Sequence, residues 1–140
     1  MTEAQAIEAV TQRWIDMWPA LQPTVPYTFE GEPLESSGTW ARMSMLHTAA
    51  RQATMGGVGA RRFERRGNVF VQLFSDLGVG RRQLSQMADS ARAVYEARSI
   101  VVAGDDEPLT TYAGATREAP TDGRWLMTAV VFPFVYYELR

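Results

Sequence analysis

Cysteine is absent from these 140 residues, and with it go disulfide frameworks, thiolate metal sites and any cysteine nucleophile. Lysine is absent too: all fourteen cations are arginine. That leaves no Schiff-base amine and no phosphate-loop lysine, and supplies instead the planar five-donor fork suited to interfaces. Histidine occurs once, at His47, which removes most Ser-His-Asp and histidine-rich metal schemes. No apolar run approaches the ~20 residues that a bilayer-spanning helix needs. The start, Met1-Thr2-Glu3-Ala4, lacks the basic-then-apolar order of a secretion signal, so synthesis in the cytoplasm is expected. Sixteen acids bring the net charge to −2, which gives no general attraction to DNA or to membranes.

What is present describes one folded domain spanning residues 1–140. Hydrophobic residues make up 46%, and four Trp, five Tyr and six Phe exclude intrinsic disorder. Residues 2–18 have helical periodicity, with Ile7, Val10, Trp14 and Met17 or Trp18 on one face. Thr2 and Gln5 make a capping box at its start, and Pro19 is expected to end it. A loop follows over residues 19–38, rich in Pro, Gly and Ser and acidic at Glu30, Glu32 and Glu35. Its length is unusual for so small a domain. Residues 80–98 predict a second amphipathic helix, with Leu84, Met87, Ala88, Ala91, Val94 and Tyr95 facing inward.

The remaining segments read as strands. Residues 39–54 and 60–74 form a hairpin around Met55-Gly56-Gly57-Val58-Gly59, with a bulge or bend expected at Gly67. Fifteen residues of strand span roughly 50 Å, whereas a domain of this size is only about 35–40 Å across. A straight hairpin of that length protrudes, and a bare β arm invites aggregation, so it is expected to pack on a neighbouring subunit. Residues 99–103 form a short strand, closed by the turn Gly104-Asp105-Asp106-Glu107-Pro108. Residues 109–117 pair with a closing strand over 125–139. That strand is apolar on both faces, which implies layers on both sides or a subunit interface, and Pro133 within it requires a bulge or a free edge. The order α-β-β-α-β-β-β gives an α+β fold: a mostly antiparallel sheet packed with two main helices and a long protruding hairpin.

No grouping of side chains makes a catalytic or metal set, so neither an enzyme nor a cofactor is expected. Asp105-Asp106-Glu107 lacks the spacing of a calcium loop and reads as a solvated turn. Gly56-Gly57-Val58-Gly59 lacks the Lys-Ser/Thr that a phosphate loop requires. Gly78-Val79-Gly80 precedes a helix and is the better anion site in principle, with Arg81 and Arg82 beside it. Those two arginines oppose the helix dipole; they are either solvated or paired with a partner's acids. Arg51, Arg61, Arg62, Arg65 and Arg66 crowd the hairpin, with Phe63 among them. Two readings stand: a nucleic-acid surface, or docking onto an acidic patch of an identical subunit, which is favoured. Glu30, Glu32, Glu35, Asp105 and Asp106 are the candidate receivers. His47 reads as a structural histidine.

Several short motifs then fall into a recognisable order. They are Gly38-Thr39-Trp40-Ala41-Arg42, Gly67-Asn68-Val69-Phe70-Val71-Gln72-Leu73-Phe74, the Gly-x-Gly-led helix, and Asp122-Gly123-Arg124-Trp125 running to Phe132-Pro133-Phe134-Val135-Tyr136-Tyr137-Glu138. Over nearly its whole length the chain resembles the tail terminator (tail completion) proteins of long-tailed bacteriophages and prophages. The resemblance implies a small α/β sandwich related to tail tube proteins, and a structural role in the virion at the head-proximal end of the tail. Such proteins form a homo-hexameric ring that caps the tail tube protein, stops its polymerisation and joins the tail to the head–tail connector or neck. Phage DNA passes through the lumen without sequence-specific binding, and no membrane is involved. Another head–tail connector or head-completion protein is the alternative, followed by a nucleic-acid-binding module using the arginine-rich hairpin.

Overall fold

The computed structural model describes residues 1–32, 38–76, 80–118 and 125–140. Helix α1 (Glu3–Leu21) begins with the expected capping box: the Gln5 N–H donates to Thr2 Oγ1 at 3.2 Å, and the Thr2 N–H donates to Gln5 Oε1 at 2.8 Å. Its buried stripe is Ala6, Val10, Trp14 and Trp18, while Ile7 turns half into solvent. Pro19 does not end it. The ring removes only the bond to the Ile15 carbonyl, on the partly exposed side of the helix, and the Gln22 N–H closes the last turn on the Trp18 carbonyl at 2.8 Å. Stacking of Trp18 on Trp14, with ring centroids 4.5 Å apart, holds the residue before the proline in place.

Six strands and a helix follow β1 (Tyr27–Phe29): β2 (Trp40–Gln52), β3 (Arg62–Asp76), α2 (Arg81–Tyr95), β4 (Ser99–Ile100), β5 (Leu109–Thr111), β6 (Ala115–Glu118) and β7 (Trp125–Leu139). The expected hairpin is β2–β3. Strand β1 lies inside the stretch expected to be loop and pairs parallel with β2. Three residues among prolines and glycines carry too little periodicity to reveal it. The other pairings are antiparallel, in the order β1-β2-β3-β7-β5-β4, with β6 also on β7. The architecture is α+β, as expected. The segment expected to pair with β7 as one strand is divided into β5 and β6, and the strand expected over residues 99–103 is only two residues long.

Gly67 sits where the β2 register shifts between His47 and Ala49. A Cβ there would lie 2.0 Å from the Leu46 carbonyl oxygen and 2.7 Å from the Phe134 ring, so the bulge needs a residue without a side chain. Pro133 is accommodated at the junction of β5 and β6. Those strands pair with residues 134–135 and 128–131 of β7, and between them the Pro133 carbonyl accepts from the Tyr112 N–H at 2.9 Å. A residue's N–H and C=O point to the same side of a strand, so the missing donor falls in that gap and the ladder to β3 keeps its bonds.

Alternation sends Val69, Val71 and Leu73 of β3, with Val130, Phe132 and Phe134 of β7, to one buried face. Helix α2 lies on it with the six predicted residues inward; Tyr95 meets Phe132 at 5.7 Å and donates its hydroxyl to the Val10 carbonyl at 2.7 Å. Trp14 stacks on Tyr95 at 6.3 Å and meets Tyr27 edge-on at 5.9 Å, which places α1 in the same layer. Neither helix covers the opposite face. There Trp40 stacks on Phe74 at 4.1 Å and meets Trp125 at 6.1 Å, with Arg42 over the Trp40 ring at 5.2 Å.

Candidate functional site

The hairpin does not leave the domain as a bare pair of strands. Strand β7 runs beside β3 from Trp125, opposite Asp76, to Leu139, opposite Arg62, so the far end is a three-stranded blade. Residues 51–60 at its end are all exposed, and Met55 and Val58 are 95% and 90% accessible. The loop is nonetheless tied down. The Gly59 N–H donates to the Arg140 carbonyl at 2.6 Å, Ala60 N–H to the Gly57 carbonyl at 3.0 Å, and Ala53 N–H to the Arg62 carbonyl at 2.7 Å.

Beyond the bulge the blade carries the arginines singled out from the sequence, and most already hold an acid of their own chain. Glu64 is the hub. It accepts from Arg51 Nε at 3.1 Å and Arg66 Nε at 2.5 Å, and from the Tyr137 hydroxyl at 3.1 Å. With only 3% of its side chain accessible, its carboxyl is held down at about 2, chiefly by the hydrogen bond from Arg51 and then by that from Arg66. Arg62 lies 3.8 Å from the centre of the Tyr137 ring and donates to Glu107 at 2.6 Å. Arg65 and Arg140 share Glu138, each at 3.2 Å. Arg61 and Arg65 flank Phe63, with guanidinium carbons 5.9 and 5.6 Å from its centre. Among the described residues Arg61 has no acid within ion-pair distance.

The candidate receivers are scattered. Glu30 and Glu32 are exposed at the end of β1, Glu35 lies outside the described residues, and Asp106 is exposed in its turn. Asp105 pairs with the Met1 ammonium, which together with the Glu107 N–H lowers its pKa. The acidic turn thus meets the arm within one chain, through Arg62 and Glu107. Arg81 and Arg82 are exposed at the start of α2; Arg81 is 3.8 Å from Glu118, and Arg82 is solvated. Gly78 and Val79 lie outside the described residues. His47 Nε2 is 2.7 Å from the Tyr136 hydroxyl, whose pKa burial pushes up to about 12, and its ring meets Phe134 edge-on at 5.2 Å. No group of three or more His, Asp or Glu able to hold a metal occurs among the described residues.

Two surfaces escaped the reading of the sequence. One is the outer edge of β2. Strand β1 pairs only with Ala41, Arg42 and Met43, so residues 44–52 have no strand on that side among the described residues. No charge occurs from 43 to 50, and Leu46 is 55% accessible. The signal for it was there, in the uncharged run Met43-Ser44-Met45-Leu46-His47-Thr48-Ala49-Ala50. The other is a groove of about 500 Å³ between α1 and the segment around β4, lined by Glu8, Ala9, Gln12, Asp16, Ile100 and Val102 among others. It pairs elements far apart in the chain, which no local pattern announces.

No protein-family model matches this chain, and no curated protein does. Twenty-six solved chains match it in structure. One of them superposes with a TM-score of 0.70 over 100% of this chain and 96% of that chain, at 17% identity. That likeness shows the fold alone.

Proposed function

We propose that this chain is a structural virion protein of the tail terminator kind, a ring-forming subunit that caps a tail tube, halts its growth and offers the joining surface for the head. The observation that carries the reading is the bare surface at the blade: a pinned tip with two apolar side chains almost wholly in water, and an uncharged strand edge running back from it along β2. A solitary soluble domain blunts such edges with charge, proline or cover. Among the described residues a single bulge is the one such device along residues 43–50. A ring needs different patches on one subunit that meet in head-to-tail fashion and close by rotation. The tip and the edge supply surface of that kind, and the motifs quoted from the closing strand support the family.

In this reading the ring stacks on the last tube ring through one face, and its other face lacks the tube's self-complementary surface, so addition stops. The internal pairing of most arm arginines leaves a lumen through which DNA slides rather than sticks. Negative-stain imaging of the protein mixed with the tube protein of its own genome tests the proposal. Six-fold rings, or tubes capped at one end and held shorter, are the expected result. Tubes of unaltered length without caps would overturn it in favour of a neck or head-completion protein.

A further inference from the structure

Met55 and Val58 stand out at the tip of the blade, and the α1–β4 groove is a concavity whose floor is apolar and whose rim carries acids. Glu8 and Asp16 are exposed on that rim. One arginine, Arg13, also lines the groove, with its Nε held by the Val94 carbonyl at 2.6 Å. Residues 51–66, by contrast, hold five arginines against one glutamate. The sheet offers its β4 edge at this groove, since β4 ends the strand order and Val101 beside it is 71% accessible. A volume of about 500 Å³ lies within the ~300–1,000 Å³ of clefts that bury a compact apolar group.

From these observations we infer that the tip, residues 53–60, of one copy docks into the α1–β4 groove of the next, Met55 and Val58 entering the cleft and Arg61 facing Glu8 and Asp16. The inference rests on the ring-forming reading and names the contact that would build the ring. Of the candidate receivers, Asp105 is taken by the Met1 ammonium, whereas Glu8 and Asp16 are exposed beside an apolar floor. Among the described residues Arg61 is the arm cation that no acid claims, and it adjoins the tip. The backbone bonds that pin Gly59 and Ala60 preorganise the loop, so little ordering entropy opposes docking. Tip and groove share no residue, as a head-to-tail contact requires.

The test uses two variants of the full chain. Met55→Ser with Val58→Ser removes the apolar tip, and Glu8→Arg with Asp16→Arg reverses the rim; all four positions are exposed, so both variants keep the fold, which circular dichroism checks. Burial of either tip side chain is worth about tenfold or more in affinity, so each variant alone should lose self-association by that factor or more in sedimentation. Mixed together they keep one intact contact per pair and should give heterodimers and nothing larger. A photoreactive benzoyl-phenylalanine at position 58 supplies an independent readout at high protein concentration, with crosslinks expected to peptides containing Ala9, Met17 or Val102. Rings formed by the tip variant, absence of heterodimers, or crosslinks mapping elsewhere or nowhere would overturn the contact and leave the ring to another surface. Crosslinks in the groove from a protein that neither forms rings nor caps tubes would uphold the contact and refute the terminator reading.

Discussion

Replacing Gly67 by Ala isolates the bulge that holds the blade together. The new Cβ would stand 2.0 Å from the Leu46 carbonyl oxygen, 2.7 Å from Phe134 Cζ and 2.9 Å from His47 Cα. Two of the three obstacles are backbone, so no rotamer change relieves them. Reaching ordinary contact at 3.4 Å requires strand β2 to retreat by about 1.4 Å at Leu46. That movement opens the ladder between residues 46–47 and 67–68. Overpacking of a tight site costs about 1–3 kcal/mol, and each ladder hydrogen bond lost adds about 1 kcal/mol. The restricted unfolded chain returns only about 0.4–1 kcal/mol. The net expectation is a loss of about 2–4 kcal/mol, a large share of the roughly 5–15 kcal/mol of a typical domain. Gly57→Ala is the paired control, because nothing lies within 4 Å of its Cβ. There only the unfolded-state effect acts, so the variant should be neutral or up to about 1 kcal/mol more stable. Urea unfolding followed by tryptophan fluorescence measures both. A Gly67→Ala midpoint within error of the parent protein, or equal effects at the two glycines, would refute the argument.

Glu64→Gln should destabilise the protein at neutral pH, with the difference narrowing in acid. The folded carboxyl titrates near 2, below its ordinary 4.5, so its contribution is complete above about 4.5 and is lost as pH falls through about 2; urea midpoints of the two proteins across pH 2–7 should therefore converge at the acid end. Tyr95→Phe deletes the hydroxyl that reaches from α2 to the Val10 carbonyl while keeping the ring against Trp14 and Phe132. A loss of about 1 kcal/mol is expected, read from the shift in thermal midpoint with near-ultraviolet circular dichroism unchanged.

The elements that were legible in the sequence are those whose burial follows their own period. Every inward residue of α2 obeys the helical repeat, and β3 alternates strictly from Gly67 to Asp76. Thr2 and Gln5 form the capping box that their spacing announces. Legibility failed where tertiary contacts overrode local preference. The stacked Trp14 and Trp18 carry α1 past Pro19, and β1 exists only because Tyr27, Thr28 and Phe29 lie along β2. The cluster of arm arginines was visible as a run of charge, but its acids were not. Glu64 is two residues from Arg66, whereas Glu107 and Glu138 reach Arg62 and Arg65 from 45 and 73 residues away. A charge run seen from one side therefore overstated the free charge of the arm.

That pairing separates the two uses first considered for the arm. If all five hairpin arginines gripped phosphates, affinity for duplex DNA would fall with salt at a log–log slope of about −4.5. Freeing Arg51 and Arg66 for that purpose would break both of their bonds to Glu64 and leave it the Tyr137 hydroxyl. Freeing Arg65 would leave Glu138, itself only 9% accessible, to Arg140 alone. Each arginine so used gives up a charge-assisted hydrogen bond it already holds, which offsets what an exposed phosphate contact returns. Among the described residues Arg61 holds no such pair and Arg62 holds one that is exposed on both sides, so the expected slope is about −1 to −2. Fluorescence anisotropy with a labelled duplex, titrated between 20 and about 200 mM salt, measures it. A slope steeper than about −3 would mean that the ion pairs open readily toward DNA, and it would return the arm to nucleic-acid binding.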